Sequence, residues 1–291
     1  MRRSEQTRPV QRPDTPVRAH RHDPDASSRH YALLFVAGER RAAAQALFAF
    51  YDEVSAVPDS ASEPHVAAAK LAWWQTEVDR SYHGRPSHPL MAALMPHLVQ
   101  HDVPERLLLA IVEGADVKAG QDAYANFAEL ERYCNLMGGA LWESLSLLFG
   151  PPSWRATRYA CALGQALQLT RIIRDVGHDA QLGRIFLPVD ELQQFGVDME
   201  DILDGKPSDG LRRLLQFQTE RARTLYDEAL QYLQADGQQQ AHKPGLIMAS
   251  LYRHLLDTLE KRQFPVLAQR PDLLPLRKFW LAWKMQALGR F

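Results

Sequence analysis

Only two cysteines, Cys134 and Cys161, occur in the chain, and both stand in apolar stretches with no CxxC or zinc-type spacing. That excludes a disulfide framework and points to a reducing, cytoplasmic-type compartment. No apolar run reaches the roughly 18–20 residues that cross a bilayer, so no transmembrane helix is expected. An excess of one charge is missing too. The formal net charge is −1, and nothing global draws the protein to nucleic acid. Strand-type alternation is nearly absent, and no GxGxxG turn marks a dedicated nicotinamide domain.

What is present is helical. With 46% hydrophobic residues and no internal repeat, the 291-residue chain is expected to bury a single core. Residues 1–29 are rich in Arg and Pro and carry no apolar segment, which argues against a secretory leader. Glu5, Asp14, Asp23 and Asp25 make them more acidic than an organelle presequence, and the reading is a disordered arm ahead of one domain, 30–291. Residues 39–54 set Ala43, Leu47, Phe50 and Val54 on one stripe, and 64–82 do the same with Leu71, Trp74 and Val78. Helices are predicted over 87–101, 104–119, 126–148, 152–177, 209–235, 245–262 and 276–288, punctuated by prolines and glycines. Two short ones are expected around 189–195 and 198–204. The fold class is all-α, and in such bundles sites are built from side chains on facing helices.

The segment 168–188, QLTRIIRDVGHDAQLGRIFLP, holds the candidate chemistry. Asp175 and Asp179 are four residues apart, hence one turn apart on one helix face, with Arg171, Arg174 and Gln168 around them. Two such carboxylates repel and need a positive partner, either an arginine or a divalent metal. Magnesium is commonly held by one or two carboxylates together with substrate phosphates, and arginines take phosphate oxygens two at a time. His178 reads as a surface residue, or as one that supports a ligand from behind, rather than as a ligand itself. The helix ending at Asp59 is expected to face this pair.

The whole segment resembles the second aspartate-rich motif of the squalene/phytoene synthase family, QxxNxxRDxxxD followed by GRxYLP. Residues 30–59, KLAWWQTEVDRSYHGRPSHPL (70–90), ELERYC (129–134) and LYRHLLDTLEK around Tyr252 fit the same family in the same order. The resemblance implies an isoprenoid-synthase-type bundle around a large central cavity. It also implies enzymes that join two prenyl diphosphates head to head, with magnesium held by aspartate-rich motifs on facing helices. Carried onto this chain, it makes Asp175, Asp179, Tyr133 and Tyr252 the catalytic candidates. Arg40, Lys118, Gln168, Arg171 and Arg174 become substrate-binding candidates, and Asp59, Asp175 and Asp179 candidate metal ligands. A farnesyl or geranylgeranyl diphosphate is the implied substrate.

The departures are concentrated. Ser55 stands where the first motif has its leading Asp, and Pro58 sits inside that motif, where it removes a backbone donor. Asp52 replaces an arginine, Lys118 an aspartate and Arg171 an asparagine. Two readings follow: a magnesium-dependent transferase with an altered first motif, or a non-catalytic member serving in binding or assembly, as in respiratory complex I assembly. A helical interaction protein without diphosphate affinity is the third. The terminal segment, 276–291, combines Phe279, Trp280 and Trp283 with Arg277, Lys278 and Lys284. That composition suits either peripheral membrane contact or a last bundle helix with both tryptophans buried.

Overall fold

A computed structural model describes residues 24–61, 63–121 and 123–288. These residues run through fourteen α-helices. In chain order the first nine are α1 (Pro24–Leu33), α2 (Gly38–Ser55), α3 (Val57–Ser60), α4 (Pro64–Tyr82), α5 (Pro89–Gln100), α6 (Glu105–Gly120), α7 (Phe127–Cys134), α8 (Ala140–Phe149) and α9 (Trp154–Gln181). The short α10 (Val189–Gln194) and α11 (Met199–Leu203) precede α12 (Asp209–Asp236), α13 (Lys243–Lys261) and α14 (Pro275–Leu288). Among the described residues there is no strand, and β pairing is confined to the isolated bridge Ala123–Ile185. The all-α, single-domain reading holds.

Local chemistry sets the boundaries. The side chains of Ser153, Ser208 and Asn126 accept from the backbone N–H three residues on and start α9, α12 and α7. Proline in the first turn opens α4, α5 and α13. Gly237, at φ 75°, closes α12. The predicted stripe on α2 is buried in full, with Ala43, Leu47, Phe50 and Val54 each 0% exposed.

The 28-residue α9 is the axis of the domain, packed against α12, α8 and α13. Apolar residues point from it in every direction (Leu163, Leu167, Leu169, Ile172, Ile173 and Val176 are all buried), so it lacks a solvated face along most of its length. Any charge on its inner turns must find a protein partner.

Two differences from the sequence reading matter for the site. The helix expected over 126–148 is interrupted by a π-turn at Asn135–Gly139. Gly138 there meets Gly164 of α9 so closely that a Cβ on either would lie 2.1–2.2 Å from the other's carbonyl oxygen. Backbone-to-backbone approach of this kind needs two glycines. The second difference is α1. Residues 24–29, placed in the arm by composition, are helical, and Asp25, Ser28 and Arg29 are buried. The rest of that arm, 1–23, lies outside the described residues.

Candidate functional site

Arg174 and Asp175, adjacent on α9, are 1% and 4% exposed. The Arg174 Nε and Nη2 donate to the two oxygens of Asp175, each at 2.7 Å. Its Nη1 and Nη2 also reach Asp25 of α1 at 2.7 and 3.2 Å. Asp175 is gripped a second time by Arg270, whose Nε and Nη2 lie 2.8 Å from the same two oxygens. Burial alone would raise the Asp175 pKa, but Arg174 and Arg270 outweigh it and hold the group at about 2. Asp25 is likewise kept well below the carboxylate range. Burial opposes this; Arg174, Arg171 and Arg29 overcome it. Tyr252 donates its hydroxyl to Asp25. Arg171 is held more loosely, 3.4 Å from Asp25, 3.9 Å from Asp175 and 3.3 Å from the Tyr51 hydroxyl.

Asp179, one turn on, differs from Asp175. No hydrogen bond or ion pair reaches its carboxylate among the described residues. Burial, then the nearby Asp175 charge, pushes its pKa up to about 7, while Arg171 and Lys118 pull the other way. Its backbone carbonyl accepts from the Arg184 amide at 3.0 Å, within the turn that Gly183 makes at φ 75°. That turn sends the Arg184 side chain across to Asp59.

The facing wall is α3 with α6. Asp59 takes the Lys118 ammonium at 2.6 Å on one oxygen and Arg184 on the other, and Arg184 also donates to the Pro58 carbonyl at 3.0 Å. Lys118 and Arg184 lower the Asp59 pKa against the effect of burial. Ser55 turns back to the Asp52 carbonyl, and Asp52 pairs with Arg29 at 2.6 Å. The position expected to carry an arginine thus accepts from one instead.

Between the walls runs a polar and aromatic ladder. The Tyr51 hydroxyl donates to Gln168 Oε1 and Gln168 Nε2 to the Tyr133 hydroxyl, both at 3.4 Å. Tyr133 stacks on Phe186 at 5.7 Å and 10°. Tyr124 closes the group with a buried hydroxyl that has no partner among the described residues. Beside it, Asp179 and Arg184 border a crevice with Ile172, Val176, Ile185 and Phe186 that has no room for a water molecule.

These residues do not fit a two-motif magnesium cluster. Both oxygens of Asp59 and of Asp175 are engaged by cations, which leaves Asp179 the open carboxylate of the three candidate ligands. No group of three His, Cys, Asp or Glu side chains is placed to hold a metal ion among the described residues. One carboxylate is the least that a magnesium ion shared with a diphosphate requires.

Of the other candidates, Gln168, Tyr133, Tyr252, Lys118, Arg171 and Arg174 converge on this region, whereas Arg40 does not. It is exposed at the start of α2 and lines a separate cavity of about 340 Å³ with Phe35, Phe149 and Lys243. His178 is exposed, as expected, and Trp73 is 45% exposed while Trp74 is buried. On α14 the buried residues are Lys278, Leu281, Ala282 and Met285; Trp280 and Trp283 are 47% and 51% exposed, which overturns the buried-tryptophan alternative. Three residues of the network carry no signal in the sequence. Asp25 and Arg29 fall in the supposed arm, and Arg270 is an isolated arginine in a loop with no motif around it.

Comparison with known proteins bears on the family and the fold. The squalene/phytoene synthase family model matches residues 23–278. A chloroplastic phytoene synthase of an Oncidium hybrid is 32% identical over 87% of this chain, which spans 63% of that protein's length. Phytoene synthase 2 of Solanum lycopersicum is 32% identical over 82% of this chain and 79% of its own. The 15-cis-phytoene synthase of Synechococcus elongatus is 28% identical over 87% and 86%. In fold, a dehydrosqualene synthase structure superposes with a TM-score of 0.80, at 23% identity over 90% of this chain and 92% of that one. The squalene synthase HpnC of Alicyclobacillus acidocaldarius gives 0.73, also at 23%, over 82% and 92%. With the motif order, the helical architecture and most of its length all in agreement, the chain belongs to the squalene/phytoene synthase family.

Proposed function

We propose that this protein binds prenyl diphosphates of the farnesyl or geranylgeranyl class at the face between α9 and the α3–α6 wall. On this reading it condenses two of them head to head, as a transferase of isoprenoid biosynthesis. The observation that carries the reading is the charge pattern. Asp59 meets two cations, Lys118 from α6 and Arg184 from the turn after α9, so these three side chains carry one positive charge in surplus beside the open carboxylate of Asp179. Fixed cations beside apolar and aromatic side chains suit an anionic head on a hydrocarbon tail. The names of the relatives, phytoene synthases, support the condensation.

A second reading, binding without turnover, is favoured by the neutralisation of Asp59 and Asp175 by the chain's own cations. Calorimetry with a non-hydrolysable farnesyl diphosphate analogue, with and without magnesium, separates the two when run beside a product assay. A C30 or C40 product together with magnesium-dependent binding is expected for the transferase. Tight binding indifferent to magnesium, with no product where an active relative gives one, would establish the second reading. No binding in either buffer would sink both.

The same proposal places α14 against an anionic bilayer surface. Leu276, Phe279, Trp280 and Trp283 are exposed on its outer side, Arg277 and Lys284 lie over the Trp280 ring at 5.4 and 5.6 Å, and 273–291 contains no acid. Residues 289–291 lie outside the described residues, and no helix among those described is long and apolar enough to cross a membrane. Vesicles rich in phosphatidylserine are expected to pull down the protein, neutral vesicles far less, and Trp280→Ser with Trp283→Ser should cut the bound fraction about tenfold. Equal recovery of variant and parent would count against the contact.

A further inference from the structure

Asp25 occupies an unexpected place. It is the second residue of α1, it is buried, and its carboxylate lies where Arg174 of the family motif and Arg171, which replaces that motif's asparagine, converge. It receives two N–H donors from Arg174 at 2.7 and 3.2 Å, the hydroxyl of Tyr252, and the Arg171 guanidinium at 3.4 Å. A phosphate group is recognised through the same set of contacts: paired guanidinium donors from arginine, a hydroxyl, and a second cation at longer range. A diphosphate carries more negative charge than one carboxylate and would compete for those donors.

The helix that delivers Asp25 is held in good part by charge. Its buried apolar side chains besides Pro24 are Ala32 and Leu33. Tyr31 packs half-buried on the core, and the Arg29 guanidinium lies over the Phe48 and Tyr51 rings at 4.9 and 5.6 Å. The other attachments are polar: Asp25 to Arg174, Arg29 to Asp52 at 2.6 Å, and the buried Lys278 ammonium to the Pro24 carbonyl at 3.2 Å. A segment with few apolar contacts and several ion pairs belongs to the class that opens locally without global unfolding.

We propose that Asp25 is an internal stand-in for the ligand's phosphate. It holds Arg174 and Arg171 in the arrangement that a diphosphate takes up, and ligand entry displaces Asp25 and loosens α1 from α13 and α14. This rests on the reading that the α9 face binds a diphosphate, and it adds that the chain's own carboxylate competes for the seat. Apparent affinity is then reduced by the fraction of molecules in which Asp25 is in place.

Inorganic pyrophosphate, in metal-free buffer of low ionic strength, is the probe. Calorimetry should show Asp25→Asn binding it on the order of tenfold more tightly than the parent. Hydrogen exchange on the parent chain should show residues 25–33 exchanging faster when pyrophosphate is saturating. A carboxylate with a merely structural role predicts the opposite: unchanged or weaker binding in the variant, and unchanged or slower exchange in α1. Binding by the parent with no gain in Asp25→Asn overturns this inference and leaves the proposed function standing. No binding by either protein overturns this inference, and no binding by either when magnesium is then added counts against the proposed function as well. If Asp25→Asn does not fold, the exchange experiment on the parent decides alone, because faster exchange in α1 supports displacement and its absence refutes it.

Discussion

Arg174→Ala is expected to destabilise the protein by about 3–5 kcal/mol, the cost of breaking a buried ion pair by removing one partner. The size follows from what is left behind. Arg174 is 1% exposed and serves two buried carboxylates, Asp25 on one side and Asp175 on the other. Asp175 keeps Arg270, and Asp25 keeps Tyr252 and the longer contact to Arg171, so neither is abandoned. Both nonetheless lose their closest guanidinium donors in a site that is almost wholly buried. Arg174→Lys is expected to rescue only part of the loss, since one ammonium cannot make two forked pairs. Arg171→Ala should cost no more than about 1–2 kcal/mol, because the contacts of Arg171 are 3.3 Å or longer. Urea unfolding followed by circular dichroism measures all three. Equal losses for Arg171→Ala and Arg174→Ala would show that the buried fork does not hold α9 in place.

Asp179→Asn is expected to do the reverse and stabilise the protein at alkaline pH. In the folded chain the Asp179 carboxyl titrates at about 7 instead of 3.8, because burial and the Asp175 charge disfavour its ionised form. The folded state therefore holds this proton more tightly than the unfolded chain does. That contribution is complete below about pH 4 and is lost as pH rises towards 7. The parent should lose stability across that window, whereas the variant's amide cannot ionise and its profile should be flatter. At pH 8 the gain should be on the order of 3 kcal/mol, after discounting for the partial exposure of the group. Thermal melts of both proteins from pH 4.5 to 8.5 test this. Parallel profiles would mean that Asp179 ionises freely and is not held at a cost. A carboxylate kept in such surroundings is what a functional site retains against stability.

Much of the architecture is legible in the chain because helix formation is decided locally. The apolar stripe of α2, the proline starts of α4 and α5, and the full α9 register of Arg171, Arg174, Asp175 and Asp179 all follow from spacing. The π-turn at Asn135–Gly139 does not, because it answers to close contact with Gly164 on another helix. Nor does α1: PDASSRH reads as a polar tail, and its burial depends on charges far along the chain. The same holds for α14, where a lysine is buried and two tryptophans face outward. Lys278 can be inside because the Asp272 carboxylate and the Pro24 carbonyl meet its ammonium there.

The sequence alone determined that this is an all-α chain, where its main helices lie, and that the second aspartate motif survives beside an altered first one. Only the tertiary structure decided how those charges are matched. It paired Asp175 with Arg174 and Arg270, gave Asp59 to Lys118 and Arg184, and brought Asp25 in from the supposed arm. It also left the Asp179 carboxylate without a hydrogen bond or ion pair among the described residues. The reason is one of range. Periodicity and capping act within a few residues, whereas Arg174–Asp25 and Arg270–Asp175 join positions 149 and 95 residues apart. Such partners are chosen by the cost of burying a charge, which exists only once the helices have packed.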